Sequence, residues 1–252
     1  MRLQNKVAVV TGGSSGIGRA AALGFAREGA KVVIADGNID GSQETVRMIE
    51  EAGGVASFII CDVSSSADVE AMVLKTVELY GSLDCAFNNA GIEGTSASIA
   101  EYPLDTWNRV IGVNLTGVFL CMKYEIAQML KQGGGAIVNN ASILGVVGFA
   151  NASAYTAAKH GVLGLTKVAA MEYASKGIRV NSVCPAFIVT PMLERAGITS
   201  NPEVKALLES MHPVKRMGRP EEIGDVAVWL CTDDASFVHG HGMLVDGGYV
   251  AQ

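Results

Sequence analysis

Short apolar runs and helical stretches alternate along this chain with little interruption. Residues 6–11, Lys-Val-Ala-Val-Val-Thr, are largely β-branched and show no polar alternation, the pattern of a strand buried on both faces. Residues 19–28, Arg-Ala-Ala-Ala-Leu-Gly-Phe-Ala-Arg-Glu, make a good helical sequence, and 31–36 form a second apolar run ending on Asp36. Further strands are predicted at 55–61, 84–88, 136–141, 178–184 and 243–245, with helices near 67–80, 104–131 and 152–175. This rhythm implies an α/β protein with a doubly wound parallel sheet of about seven strands and helices on both faces. No change of composition divides residues 1–252, so a single domain is expected, and no short repeat appears. The one break is 186–218, where Pro191, Pro202 and Pro213 interrupt the chain and only 203–211 reads as helix. Long excursions in compact domains are often lids.

Composition narrows the function classes. A hydrophobic fraction of 49% supplies a sizeable core, and the 30 glycines are spread among turns. The net charge of −6 and the lack of a basic stripe argue against a nucleic-acid partner. No apolar run approaches the ~18 residues of a membrane span. Residues 1–6 lead straight into the first strand without a signal-peptide pattern, so no membrane partner and a cytoplasmic location are expected. Cys61, Cys85, Cys121, Cys184 and Cys231 are odd in number, scattered and set in apolar contexts, which fits buried thiols rather than disulfides or a metal site.

Candidate chemistry begins at the first turn. Gly12-Gly13-Ser14-Ser15-Gly16-Ile17-Gly18 separates the first strand from the first helix. Strand, glycine turn and helix is the context of a dinucleotide fingerprint, because glycines let backbone approach a pyrophosphate and the helix N-terminus offers free N–H groups. The spacing is Gly-x-x-x-Gly-x-Gly rather than G-x-G-x-x-G, and a glycine-rich turn with no ligand is the plain alternative. Asp36 ends the second strand, where a carboxylate can accept both adenosine ribose hydroxyls and would repel a 2′-phosphate. With Gly37 after it and uncharged Ser15 in the loop, the cofactor is read as NAD rather than NADP. Tyr155 and Lys159 stand four residues apart in a helical segment, so both side chains lie on one face. A free phenol has a pKa of about 10, and lowering it by about three units requires roughly 4 kcal/mol of differential stabilisation, which a nearby cation can largely supply.

Together these residues resemble the short-chain dehydrogenase/reductase family, in the branch whose chains are about as long as this one, and the likeness spans nearly the whole sequence. Thr11-Gly12-x-x-x-Gly16-x-Gly18 matches the family's cofactor loop, including Ser14, Ser15 and Ile17, and Asp62-Val63 the adenine contact. Asn88-Asn89-Ala90-Gly91 matches the motif ending the fourth strand, and Asn114, Ser142, Tyr155 and Lys159 match the catalytic tetrad. Pro185 matches the proline of a Pro-Gly motif whose glycine is here Ala186, a change that restricts the backbone at the nicotinamide end. The resemblance implies a single Rossmann domain, with Ile188 and Thr190 beside the nicotinamide.

What it implies for mechanism is specific. Tyr155 would be general base in alcohol oxidation and general acid in ketone reduction, with Lys159 depressing its pKa and holding the ribose hydroxyls. Ser142 would hydrogen-bond the substrate oxygen; a serine at a strand end can equally serve turn chemistry. Asn114 interrupts an apolar helical run, either as a satisfied core amide or, as the family has it, in a helix irregularity holding a relay water. Substrate walls are expected at Leu144, Phe149, Phe187, Met192 and Leu193, with Glu93 nearby. These are mostly apolar, so a small or cyclic secondary alcohol or ketone is favoured. The family also implies a homotetramer with 220–252 and the Tyr155 helix at interfaces.

Two rival functions remain: a 3-oxoacyl-carrier-protein reductase, against which Asp36 and the acidic balance weigh, and a non-catalytic dinucleotide sensor. Extended epimerases share Tyr-x-x-x-Lys but carry a substrate domain this chain lacks. His239 and His241 lack an acidic or cysteine partner at ligand spacing, so no metal is expected and a glycine-rich turn is the simpler reading. His160 points about 100° away from Lys159 around the helix. Trp107 and Trp229 look like core or subunit contacts.

Overall fold

Seven parallel strands carry this computed structural model, which describes residues 1–195, 197 and 201–252. β1 (Val7–Thr11) leads through α1 (Gly16–Arg27) to β2 (Lys31–Asp36), and α2 (Ile39–Glu51) leads on to β3 (Val55–Ile60). α3 (Ser66–Tyr80) then crosses back to β4 (Cys85–Asn88) on the other side of β1. After β4 come α4 (Leu104–Ile111), a π-turn (Gly112–Thr116), α5 (Gly117–Gln132) and β5 (Gly135–Asn140). α6 (Ser153–Tyr173), β6 (Ile178–Pro185), α7 (Pro191–Arg195), α8 (Pro202–Ser210), α9 (Pro220–Cys231) and β7 (Gly242–Val245) complete the chain. The spatial order is β3-β2-β1-β4-β5-β6-β7, so the winding reverses between β1 and β4. That reversal opens a crevice at the carboxyl ends of the two strands.

Strand side chains alternate between the two faces. On β1, Val9 enters a core with α3, α5 and α6, whereas Ala8 and Val10 enter the core shared with α1 and α9. Both faces are covered, and this is why the strands show continuous apolar runs rather than alternation. All five cysteines are free and buried in these layers.

Three expectations need correction. The single helix predicted over 104–131 is interrupted by the π-turn at 112–116, with Asn114 at its centre. By length and mean hydropathy (1.4), Leu104–Gln132 would pass for a membrane span, contrary to the sequence reading, but half of its apolar window is buried in the protein. The excursion 186–218 holds a second helix, α7, besides α8. Pro191 opens α7 rather than breaking it, since proline at the first helical position loses no intrahelical bond. Residues 196 and 198–200 of the excursion lie outside the described residues. Its base is pinned: Val189 N donates to Gly218 O (3.0 Å) and Gly218 N to Phe187 O (3.0 Å).

Glu125 on α5 is fully buried and accepts only one hydrogen bond, from Asn88 Nδ2 to Oε2 at 3.0 Å. Its Oε1 and the Asn88 Oδ1 have no partner. Burial pushes this carboxyl up from 4.5 to about 7, against the Asn88 hydrogen bond. The folded protein therefore keeps a proton that the unfolded chain gives up, and this contribution to stability is full below 4.5 and lost as pH rises to 7. Glu125→Gln keeps the acceptor and removes the ionisation, so above pH 7 it should be more stable than the parent by up to about 3 kcal/mol. The gain should vanish at acid pH. Denaturation midpoints that differ equally at both pH values would contradict this.

Candidate active site

The crevice is a cavity of about 1130 Å³ running from Asp36 and Asp62 at one end to Phe149, Phe187 and Met192 at the other. That is just above the usual range of about 300–1,000 Å³ for a small-molecule pocket, enough for an elongated ligand and a second one beside it. Gly12 and Gly16 adopt left-handed backbone (φ +64° and +53°), where side chains are strained. A Cβ on Gly12 would lie 2.9 Å from Ala90 Cα, and one on Gly18 would collide with the Gly12 carbonyl. A Cβ on Gly16 would meet Thr190 across the cavity, at 3.4 Å. Ser15 caps α1 without a side-chain hydrogen bond, and the first turn carries no acidic residue. Its N–H groups and positive dipole end are thus left for a ligand. A cradle of backbone donors beside a long cavity fits a dinucleotide pyrophosphate.

Asp36 is oriented by backbone donors: Ser14 N to Oδ2 (3.1 Å) and Asn38 N to Oδ1 (2.9 Å). Each oxygen keeps a further lone pair for a ligand hydroxyl. Arg19, the cation on the adjacent helix, is already committed to Ser14 O (2.6 Å), Thr45 Oγ1 (3.0 Å) and Gly41 O (3.2 Å). Asp62 and Val63 line the same end, and Asp62 accepts from Ser64 N at 2.9 Å. Asn89, Ala90, Gly91, Pro185, Ile188 and Thr190 line the middle. Ala186 is not among the left-handed non-glycine residues, so it takes the glycine position without strain.

Ser142, Tyr155 and Lys159 converge on this cavity. Ser142 follows β5, and its hydroxyl accepts from Leu144 N (3.1 Å), so the turn role and an exposed face on the cavity coexist. The Lys159 ammonium lies over the Tyr155 ring, 5.4 Å from its centroid, and donates to Asn140 O at 2.6 Å. The protein's own groups do not acidify the phenol. Burial pushes Tyr155 up to about 12, the Ser142 hydrogen bond opposes this, and Glu93 adds to it. Burial brings Lys159 down to about 8. The Lys159 ammonium is engaged by the Asn140 main-chain carbonyl, and the charge of an oxidised coenzyme would add to its effect on the phenol.

Asn114 does not line the cavity. Fully buried in the π-turn, it accepts from Ile92 N (2.8 Å) and donates to Ile92 O (2.7 Å), clamping the segment after Asn89-Ala90-Gly91. Leu144, Phe149, Phe187, Met192, Leu193 and Glu93 all line the cavity, and Phe149 meets Phe187 edge-on at 6.1 Å. His212, absent from the sequence reading, supports that wall: it is buried against Phe187 (6.0 Å) and Tyr249 (5.5 Å). Asn140 was also missed; a polar residue ending a strand gives no signal of the partner it will find. Among the described residues no His, Cys, Asp or Glu group could hold a metal ion. His160 is exposed, its Nδ1 within 3.0 Å of Thr156 O, and Trp107 packs edge-on against Tyr102.

Residues 12–250 match a family model described as enoyl-(acyl carrier protein) reductase. The chain is 46% identical to a cyclohexanol dehydrogenase from Acinetobacter sp. (strain SE19), covering 100% of this chain and 97% of that protein. It superposes on the crystal structure of a levodione reductase with a TM-score of 0.96 and 39% identity, over 99% of both chains. A putative NAD(P)-dependent gluconate 5-dehydrogenase from Beutenbergia cavernae, with bound NADP at low occupancy, gives 0.93 and 36% over 99% of this chain and 98% of that one.

Gly18→Ala should abolish dinucleotide binding, because its Cβ has no space against the Gly12 carbonyl. Calorimetric titration with NAD checks this; affinity within a few-fold of the parent would contradict the cradle.

Proposed function

The chain belongs to the short-chain dehydrogenase/reductase family, and on that premise we propose that it interconverts a secondary alcohol and a ketone by hydride transfer with NAD. The observation that carries this reading is the convergence of Ser142, Tyr155 and Lys159 at one end of a dinucleotide-sized cavity. Gly12, Ser14, Ser15, Gly16, Ile17 and Gly18 would hold the pyrophosphate, and Asp36 the adenosine ribose. Asp62 and Val63 would meet adenine, while Asn89, Ala90, Gly91, Pro185, Ile188 and Thr190 flank the nicotinamide half. The coenzyme supplies the hydride acceptor and, when oxidised, a positive charge near the phenol.

The remaining work falls to this chain's own side chains. Ser142 donates to the substrate oxygen and holds it against Tyr155. Tyr155 takes the hydroxyl proton in oxidation and returns it in reduction. Lys159 has three N–H donors, one of them used by Asn140 O, and the other two are available to ribose hydroxyls. Asn114 fixes the cavity floor through Ile92. NAD is favoured over NADP because Asp36 places a negative charge where the adenosine ribose would lie and Arg19 is engaged elsewhere. Leu144, Phe149, Phe187 and Met192 form an apolar wall suited to a small or cyclic substrate, a reading that the similarity to a cyclohexanol dehydrogenase supports. The described residues of 186–218, pinned at their base by Phe187, Val189 and Gly218, are assigned the role of a lid. The exposed apolar strip of Phe119, Val168 and Met171 along α5 and α6 suits subunit contact in a homotetramer.

Tyr155→Phe removes the proton carrier and should lower turnover by about 10²–10⁴-fold while NAD affinity changes little. Turnover within a few-fold of the parent would rule out the assigned role. With Tyr155 protonated well above neutrality, alcohol oxidation should accelerate with rising pH, since the base form is scarce. A rate independent of pH from neutral to alkaline would contradict this. On cofactor choice, kcat/KM with NAD should exceed that with NADP; equality or reversal would overturn the assignment from Asp36.

A further inference from the structure

Asparagine doublets end both central strands, and their members face different partners. β4 pairs with β5 so that Asn88 lies opposite Asn139. Asn88 Nδ2 donates to Glu125 Oε2 and Asn139 Oδ1 (both 3.0 Å), and Asn139 Nδ2 to Thr166 Oγ1 (3.0 Å), tying the sheet to α5 and α6. The next pair along faces the cavity. Asn89 Nδ2 donates to Thr11 O (3.0 Å) and Gly12 O (3.1 Å), and Asn140 Nδ2 donates to Asn89 Oδ1 (2.8 Å). The Asn140 main-chain carbonyl accepts from the Lys159 ammonium at 2.6 Å. Hydrogen bonds thus run from the glycine turn through Asn89 to the Asn140 side chain, and the Asn140 main chain carries the path on to Lys159.

The orientation of these amides is dictated by their partners. Two carbonyls require Asn89 to present its NH₂ to the turn, which leaves Asn89 Oδ1 facing Asn140, and Asn140 must answer with its own NH₂. Asn140 Oδ1 is then buried without a partner, in a residue 9% exposed that lines the cavity. An orphan acceptor is destabilising, and an apolar side chain would fill the same space without it.

We propose that Asn140 is a positioning residue, which couples the glycine turn to Lys159 so that engagement of NAD at the turn and placement of the ammonium reinforce one another. The inference rests on the cofactor role proposed for Lys159. It assigns Asn140 no contact with the reacting atoms.

A double-mutant cycle on NAD binding, measured by calorimetry, tests the coupling. Asn140→Leu should weaken NAD binding about five-fold in the parent, the effect of losing one neutral hydrogen bond. In a Lys159→Met background the same substitution should change affinity less than about two-fold, because the partner it acts through is gone. Equal factors in both backgrounds would overturn the proposal. The acid limb of the alcohol-oxidation pH profile should also move to higher pH in Asn140→Leu, by about half a unit. A profile superimposable on the parent's, with only thermal stability reduced, would mean a merely structural residue. If Asn140→Leu does not fold, Asn140→Val, a β-branched residue suited to a strand, is judged by the same readouts. The cycle reads binding rather than turnover, so it is decided even where the alcohol–ketone reading fails.

Discussion

Burial at the carboxyl ends of the central strands acts on Tyr155 and Lys159 in opposite directions, and the chemistry of the site depends on that opposition. Removing solvent penalises the charged form of each group, so the phenol is pushed up to about 12 and the ammonium down to about 8. The protein thus prepares an acid that holds its proton firmly and a cation only weakly attached to its own. A further positive charge brought into the cleft would act strongly there, because the medium screens it poorly. Hence a phenol of this kind is suited to protonating an alkoxide unaided, whereas taking a proton from an alcohol needs the charge that an oxidised coenzyme carries.

The fold produces this environment by position. The winding reverses between β1 and β4, which leaves the crevice, and the glycine turn, the Asn89-Ala90-Gly91 segment and Ser142 all sit at strand carboxyl ends beside it. Polar groups forced inward by this arrangement are paired with backbone: Asn114 with Ile92, Asn89 with Thr11 and Gly12, Lys159 with Asn140. Glu125, Asn88 and Asn140 are exceptions, each with a buried oxygen left without a partner, and burial pushes the Glu125 carboxyl up to about 7.

The strand rhythm was legible because a parallel sheet covered on both faces demands continuous apolar runs, and the seven observed strands fall within a residue or two of the predicted bounds. The glycine turn and the trio of Ser142, Tyr155 and Lys159 that line the cavity were legible because their residue types recur at fixed spacings. The π-turn was not: Val113-Asn114-Leu115 keeps a helical pattern, and the backbone of Ile92, with which Asn114 pairs, is 22 residues away. α7 was hidden because Pro191 signals a break and a helix start equally well. The upward shift of Tyr155 comes from its burial, and the Asn140 carbonyl that takes the Lys159 ammonium is equally invisible to any spacing rule.

The account is tested most directly by titrating the phenol itself. A pH difference spectrum of parent against Tyr155→Phe isolates the absorbance of the Tyr155 phenolate, first without and then with saturating NAD. Ionisation well above the ordinary tyrosine value without the coenzyme, and about one to three units lower with it, is the predicted result. The same midpoint in both titrations would contradict the claim that buried phenol and coenzyme charge act together.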